Sequence, residues 1–250
     1  MFEKLSSLAF GVLLFLVAAI LPAQSMGKVV SFPSGSETGS GYLAIPEGAG
    51  KHPAIVVIQE WFGVNDFIKS KADHFAKEGY VALAIDLYRG KVATDPDTAH
   101  QLMRGLPEDR AIRDLKGGVT FLRSRPDVDG RKIGSIGWCM GGGYSLSLAL
   151  ADPTLAGAVI DYGRLVTDDA AIASLKVPLL GNFGGQDKGI SPESVREFEK
   201  KAKAAGKEID FKIYPDSGHG FASFDSSHPQ DTKDADARTE RFFEKRLKGK

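Results

Sequence analysis

Short apolar runs alternate with amphipathic stretches along most of the chain. The runs at 54–58 and 81–85 contain no polar residue, which is typical of strands buried on both faces of a parallel sheet. Between them, residues 66–78 carry apolar side chains at helical spacing, and Gly79 follows as a helix-ending residue. This alternation predicts an α/β fold with a mostly parallel central sheet and helices on both faces.

The same pattern continues to the carboxyl end of the chain. It predicts further strands just before residue 139 and at 155–161, 177–183 and 210–214, and helices at 96–106, 107–123, just after residue 139, 193–205 and 231–247. The Gly/Ser-rich segment 34–41 is interpreted as a turn between two N-terminal strands. No repeat and no long linker interrupts the chain, so residues 27–250 are predicted to form a single domain.

The first 25 residues differ from the rest in composition. Lys4 precedes an apolar run over 8–21, and small residues lead up to Ser25. These are the three parts of a signal peptide, predicted here at 1–25. The alternative is an uncleaved anchor, but the apolar run is shorter than the roughly 20 residues that span a bilayer. We therefore expect a periplasmic or secreted protein that is free of the membrane after cleavage.

Composition narrows the choice of partners. Lys+Arg and Asp+Glu both total 32, so the net charge of zero gives no field that would recruit nucleic acid. A single cysteine excludes an internal disulfide. No histidine pair has metal-ligand spacing, and no Lys-Ser/Thr pair follows the glycines at 141–143. We expect a monomer that acts on a small molecule without a metal or cofactor.

The segment 134–143, Gly-Ser-Ile-Gly-Trp-Cys-Met-Gly-Gly-Gly, contains that cysteine. Gly137 and Gly141 flank Cys139 between a predicted strand and a predicted helix, which is the sequence pattern of a nucleophile elbow with cysteine in place of serine. The helix N-terminus would favour a thiolate. A buried structural cysteine is the alternative, but the flanking glycines favour a nucleophile.

A nucleophile of this kind requires a base and an acid, in the chain order nucleophile, acid, histidine. His219 lies in a Gly-His-Gly turn after a predicted strand, whereas His228 lies in a polar loop. Asp187 follows a buried strand in a glycine-rich loop and is the predicted acid that orients His219. The competing acids are Asp152, Asp161, Asp168, Asp169 and Asp216. The predicted oxyanion donors are the backbone N–H groups of Met140 and Trp61.

At these motifs the chain resembles the dienelactone hydrolases, which are cysteine-dependent α/β-hydrolases. The matching segments are Gln-Glu-Trp-Phe-Gly at 59–63, Asp-Leu-Tyr-Arg-Gly at 86–90, Gly-Trp-Cys-Met-Gly-Gly at 137–142, Gly-Gln-Asp at 185–187 and Gly-His-Gly-Phe at 218–221. The resemblance implies that Glu60 contacts the resting thiol and helps to generate the thiolate. It also implies that Arg89 binds a substrate carboxylate.

The chain departs from the best-known members of that family at one place. Those members carry a second carboxylate-binding arginine shortly after the catalytic histidine, but residues 220–223 here are Gly-Phe-Ala-Ser. The carboxylate pocket is therefore expected to differ.

Together these observations predict a carboxymethylenebutenolidase-like hydrolase of a small ester or lactone, with a Cys-His-Asp triad and a thioester intermediate. The alternatives are a non-catalytic ligand-binding protein or thiol redox sensor on a hydrolase scaffold, or an acyltransferase.

Overall fold

A computed structural model describes residues 27–224 and 226–249. The predicted signal peptide at 1–25 lies outside these residues. The central feature is one sheet of eight strands in the spatial order β1-β2-β4-β3-β5-β6-β7-β8. The strands are β1 (Lys28–Ser34), β2 (Glu37–Ala44), β3 (His52–Ile58), β4 (Val81–Ile85), β5 (Val128–Trp138), β6 (Gly157–Asp161), β7 (Leu179–Gly184) and β8 (Ile209–Tyr214).

Strand direction divides the sheet into two parts. From β4 to β8 every neighbouring pair is parallel, with the fully apolar strands β3 and β4 side by side. The first two strands form a hairpin that joins the sheet antiparallel to β4. The carboxyl ends of the parallel strands therefore lie along one edge, where sites in such sheets form.

The helices cover both faces of this sheet. They are α1 (Asp66–Lys77), α2 (Pro96–Arg104), α3 (Glu108–Ser124), α4 (Met140–Ala151), α5 (Asp169–Ser174), α6 (Pro192–Ala204) and α7 (Pro229–Phe243), the last continued by a π-helical turn at Glu244–Lys248. One face packs apolar side chains against α3, α4, α5 and α6. The other packs them against α1 and α7.

Because side chains alternate between the two faces of the sheet, one strand contributes to both hydrophobic cores. In β3, Val56 and Ile58 belong to the first core, and Ile55 and Val57 to the second, all without exposed surface. Successive side chains in a strand point to opposite faces of the sheet. A strand with two buried faces consequently needs the continuous apolar run that the sequence contains.

Most element boundaries agree with the pattern to within two residues, and the differences have local causes. The turn predicted over 34–41 is shorter, because residues 37–41 pair with β1 and only residues 35 and 36 turn. Gly35 has a φ of +60°, which glycine adopts without strain. The short helix α5 begins at an N-cap, where Asp168 accepts a hydrogen bond from the Ala171 N–H.

Candidate active site

The turn between β5 and α4 holds Cys139 in a strained conformation. Its φ of +54° is rare for a residue with a side chain. A Cβ on Gly137 would lie 2.1 Å from the Gly141 carbonyl oxygen, and one on Gly141 would lie 2.4 Å from the Ile58 oxygen. The Cys139 N–H donates to the Asp161 carbonyl at 2.9 Å. The two glycines thus let strand and helix approach closely enough to present the sulfur at the sheet edge.

Three predicted side chains from separate segments meet at this edge. His219 Nε2 lies 3.0 Å from Cys139 Sγ, and His219 Nδ1 lies 2.6 Å from Asp187 Oδ2. The other Asp187 oxygen accepts the N–H groups of Gly189 and Ile190 at 2.8 and 2.9 Å. The loop after β7 therefore fixes the carboxylate, the carboxylate orients the imidazole, and the imidazole reaches the sulfur.

The electrostatics of the histidine follow from these contacts. Burial disfavours a charge on His219, but the hydrogen bonds and negative charges of Asp187 and Cys139 outweigh it and raise the pKa of His219 to about 10. Burial would raise the pKa of Asp187, but the His219 contact and the two backbone donors hold it below the ordinary value. The arrangement therefore favours an imidazolium beside the sulfur at neutral pH.

None of the competing acids has a hydrogen bond or ion pair with His219, whose carboxylate partner is Asp187. Asp152 closes α4 and pairs with Arg123 at 3.1 Å. Asp168 caps α5. Asp161 is buried and accepts a hydrogen bond from Asn182 Nδ2 at 2.7 Å, and its burial raises its pKa to about 7.

The predicted oxyanion donors lie at the start of α4 and just after β3. Among the residues that the structure describes, none accepts a hydrogen bond from the backbone N–H of Met140 or of Trp61. The turn that carries Trp61 is closed by a hydrogen bond from the Gly63 N–H to the Glu60 carbonyl at 3.2 Å. Two unused donors near a nucleophile can accept the negative charge of a tetrahedral intermediate.

Glu60 lies beside the histidine, but its contact differs from the one that the resemblance implies. Its Oε1 accepts a hydrogen bond from Ser223 Oγ at 2.8 Å, while the sulfur of Cys139 is hydrogen-bonded to His219. Burial raises the pKa of Glu60, against the lowering effects of the Ser223 hydrogen bond and of the charges of His219 and Lys71. Glu60 is only 4 % exposed, so its charge acts on the histidine with little screening by water.

Arg89 has no hydrogen bond or ion pair with Cys139, Asp187 or His219. Its guanidinium pairs with Asp114 at 2.8 Å and with Glu37 at 3.2 Å. Asp114 lies on α3, has no exposed surface, and also accepts a hydrogen bond from Ser34. The contacts of Arg89 therefore join the N-terminal hairpin to α3, and the geometry gives no support to its predicted role as a carboxylate anchor. That role was inferred from motif position, which does not reveal the two acidic partners.

Two residues of the site were not singled out from the sequence. In the sequence, Ser223 is distinguished only by standing where related chains carry an arginine, and Tyr162 lies in no recognisable motif. The ring of Tyr162 contacts the His219 ring edge-on, with centroids 5.2 Å apart. Its position just after β6, at the carboxyl edge of the sheet, is the signal that could have identified it.

The described part of the chain contains neither a cluster of metal ligands nor a membrane-spanning helix. No group of three or more His, Cys, Asp or Glu side chains within residues 27–224 and 226–249 could hold a metal ion. No helix in the same ranges is long and apolar enough to cross a membrane.

The order of the predicted nucleophile, acid and histidine along the chain, at the carboxyl edge of a mainly parallel sheet, is that of the α/β-hydrolases. Comparison of folds agrees with this class. A crystal structure titled "Putative Dienelactone Hydrolase", from Klebsiella pneumoniae, superposes with a TM-score of 0.80 at 29 % identity, covering 87 % of this chain and 97 % of that one. The predicted fold class is thereby confirmed.

Sequence comparison defines the family. The model of the dienelactone hydrolase family matches residues 40–247. A protein of Methylorubrum extorquens named "Putative carboxymethylenebutenolidase" is 36 % identical over 194 residues, which cover 72 % of this chain and 67 % of that protein. Protein usf of Aquifex pyrophilus is 32 % identical over 89 % of this chain and 100 % of its own. The chain belongs to the dienelactone hydrolase family and is a carboxylic ester hydrolase.

Proposed function

We propose that the chain hydrolyses a small ester or lactone through a thioester on Cys139, with His219 and Asp187 as the other members of a triad. The observation that carries this proposal is the continuous contact from the sulfur to Nε2 and from Nδ1 to the carboxylate, at 3.0 and 2.6 Å. Each distance is that of a hydrogen bond along which a proton can move.

The first half-reaction acylates the enzyme. His219 holds the proton of the Cys139 thiol, and the resulting thiolate attacks the substrate carbonyl carbon. The carbonyl electron pair moves to oxygen, where the N–H groups of Met140 and Trp61 stabilise it. When the intermediate collapses, the carbon–oxygen bond to the leaving group breaks and that oxygen takes the proton from His219 Nε2. The alcohol departs and a thioester remains.

The second half-reaction consumes water. Neutral His219 removes a proton from the water as its oxygen bonds to the thioester carbon. The second intermediate collapses with cleavage of the carbon–sulfur bond, releasing a carboxylic acid and restoring the thiolate beside protonated His219. For a lactone, the alcohol and the acid are two ends of one product. The elevated pKa of His219, about 10, supports a resting state in which the histidine is protonated.

Glu60 acts in this proposal through its charge. The buried carboxylate faces His219, and each charge stabilises the other. In the arrangement described here Glu60 is held by Ser223, so it contributes to the charge of the histidine without touching the sulfur.

The substrate class follows from the family and is a proposal for this chain. The relatives bear the name carboxymethylenebutenolidase, which points to unsaturated lactones that carry a carboxylate. Arg89 forms its ion pairs with Asp114 and Glu37 through Nη2 alone, so its other N–H groups keep the capacity to bind such a carboxylate. We therefore propose a small ester or lactone as the substrate, and a comparison of substrates with and without a carboxylate tests whether Arg89 binds one.

The test combines a substrate screen with trapping of the thioester. Purified protein is assayed on p-nitrophenyl esters and small lactones, each with and without a carboxylate, and acid-quenched samples are examined by mass spectrometry. We expect turnover and an acyl adduct on Cys139, the only cysteine. Turnover that persists in Cys139→Ala, or an adduct on another residue, would contradict the mechanism. A product acylated on an added alcohol would indicate acyl transfer instead.

Export and oligomeric state are further proposals. The composition of residues 1–25 supports a cleaved signal peptide and a periplasmic or secreted enzyme. Mass spectrometry of the protein recovered from a periplasmic or medium fraction tests this, because cleavage after Ser25 leaves a chain that begins at Met26. We also propose a monomer, for which light scattering after size-exclusion chromatography gives the mass.

A further inference from the structure

Tyr162 is a strained residue in the wall of the candidate site. It follows β6 directly and has a φ of +40°, which is unfavourable for a residue with a Cβ. Its N–H donates to the Asn182 carbonyl at 2.7 Å, which anchors the backbone in that conformation. Such strain persists where the surroundings fix the residue, and it is concentrated at active sites.

The ring of Tyr162 is packed against catalytic and structural neighbours. It meets the His219 ring edge-on, and its centroid lies 5.5 Å from that of Phe221. The side chain has no exposed surface. These contacts need an aromatic ring and make no use of the hydroxyl, so phenylalanine would preserve them.

The packing of the Tyr162 ring does not account for its hydroxyl group. It is buried and has no hydrogen-bond partner among the described residues. A buried polar group without a partner is costly and calls for an explanation. Burial raises the pKa of Tyr162 well above its ordinary value, the charges of Glu60 and Asp161 raise it further, and the Ser223 hydroxyl lowers it. Ser223 and Glu60 are thus neighbours of the phenol, although the Tyr162 and Ser223 hydroxyl groups are not hydrogen-bonded in this structure.

Ser223 has capacity for one more hydrogen bond on that side. Its Oγ donates its proton to Glu60 Oε1 at 2.8 Å, with a weaker alternative acceptor in the Gly220 carbonyl at 3.3 Å. A hydroxyl that donates its proton still has lone pairs that accept. A phenol is a good donor, so the Tyr162 hydroxyl can use this acceptor capacity.

We propose that Tyr162 is a positioning residue whose hydroxyl completes a hydrogen-bond chain through Ser223 to the Glu60 carboxylate. Donation from the phenol to Ser223 polarises the serine O–H and strengthens its bond to the carboxylate. This hydrogen-bond chain thereby stabilises the charged form of Glu60. The charged neighbours of Glu60 are His219 and Lys71. The inference rests on the proposed function only in assigning Glu60 to the catalytic site.

The test measures the titration of Glu60 directly. Protein labelled with 13C at the glutamate side-chain carboxyl carbon is titrated by NMR, and the Glu60 signal is assigned by its loss in Glu60→Gln. Tyr162→Phe, Ser223→Ala and the double variant are then compared with the unchanged protein. We expect each single variant to raise the Glu60 midpoint, by about one pH unit for Ser223→Ala, because hydrogen bonds to a charged group favour that form. Tyr162 acts through Ser223, so the double variant should shift no further than Ser223→Ala.

Tyr80→Phe is the matched control. Tyr80 is also buried with an unpartnered hydroxyl, but its ring packs against Phe75 and Phe243. Its variant should leave the Glu60 midpoint unchanged, and thermal unfolding checks that every variant is folded. An unchanged midpoint in Tyr162→Phe, or additive shifts in the double variant, would overturn the proposal. Both readouts are independent of turnover, so they remain decisive even if Cys139→Ala retains full activity and the proposed mechanism fails.

Discussion

Cys139 and Arg89 both follow parallel strands at the same edge of the sheet and both have positive φ values, +54° and +56°. Their side chains have different surroundings. The sulfur of Cys139 meets a histidine that can exchange a proton with it. Nη2 of Arg89 pairs with two carboxylates, one of them fully buried. Backbone strain therefore marks a position that the fold holds firmly, and the partner side chain decides whether that position can react.

The largest expected effect is that of removing the nucleophile. Cys139→Ala should lower kcat for any ester or lactone substrate by about 10⁴-fold, because no other group forms the thioester. Its unfolding temperature should stay close to that of the unchanged protein, since alanine keeps the same backbone strain. Steady-state assays and thermal unfolding measure the two effects. Cys139→Ser is the control for a smaller nucleophilic change at constant size, and equal activity in all three proteins would contradict the assignment.

The next effect concerns the acid of the triad. Asp187→Asn keeps the shape of the side chain but removes the charge that holds the histidine in its protonated form. We expect a loss of about 10³-fold in kcat, by analogy with the cost of the wrong histidine tautomer in other triads. Asp161→Asn is the control at a competing buried acid. A larger loss of activity in Asp161→Asn than in Asp187→Asn would identify Asp161 as the acid of the triad.

The third prediction tests whether the close packing around Cys139 requires glycine at position 137. Gly137→Ala places a methyl group 2.1 Å from the Gly141 carbonyl oxygen and should lower the free energy of unfolding by about 3 kcal/mol. Gly143→Ala is the control on the other side of the elbow, in the first turn of α4, where the nearest contact of the added methyl group would be 3.5 Å away. Alanine there should be neutral or stabilising by about 0.5–1 kcal/mol. Chemical denaturation measures both, and equal losses would argue against close packing at the elbow.

The fourth prediction concerns Arg89 and its ion pairs. Arg89→Ala leaves the buried Asp114 carboxylate without its cation, and the free energy of unfolding should fall by about 1–3 kcal/mol. Activity per folded molecule should change equally for neutral esters and for esters with a carboxylate. Arg113→Ala, which removes a half-exposed partner of Glu37, should cost less than about 1 kcal/mol. A selective loss on carboxylate substrates would restore the predicted anchoring role of Arg89.

The smallest expected effect is on how the free energy of unfolding depends on pH. The pKa of His219 is raised from 6.5 to about 10, so the protonated form contributes stability that is fully present below pH 6.5 and declines as the pH rises through about 10. The stability difference between the unchanged protein and His219→Gln should therefore shrink over that window. Denaturation at a series of pH values measures it. A difference that grows with pH would mean that the histidine is neutral in the folded state.

Much of the fold follows from local features of the sequence. The apolar runs at 54–58 and 81–85 become β3 and β4, because a strand with two buried faces has no place for a polar side chain. The glycines around Cys139 predict the elbow for a similarly local reason, since only a missing Cβ allows the observed approach of strand and helix. The hairpin turn at 35–36 was less predictable, because a Gly/Ser-rich stretch can also form a strand when a partner strand pairs with it.

The site divides in the same way. The sequence by itself determined the nucleophile, the histidine and the acid as candidates, because their order and their places after strands depend only on chain position. Tertiary structure alone decided which carboxylates meet Arg89, that Ser223 holds Glu60, and that Tyr162 lies against His219. Those contacts join residues up to 163 positions apart. No local pattern specifies such pairs, since they arise only when the sheet order brings the ends of separate strands together.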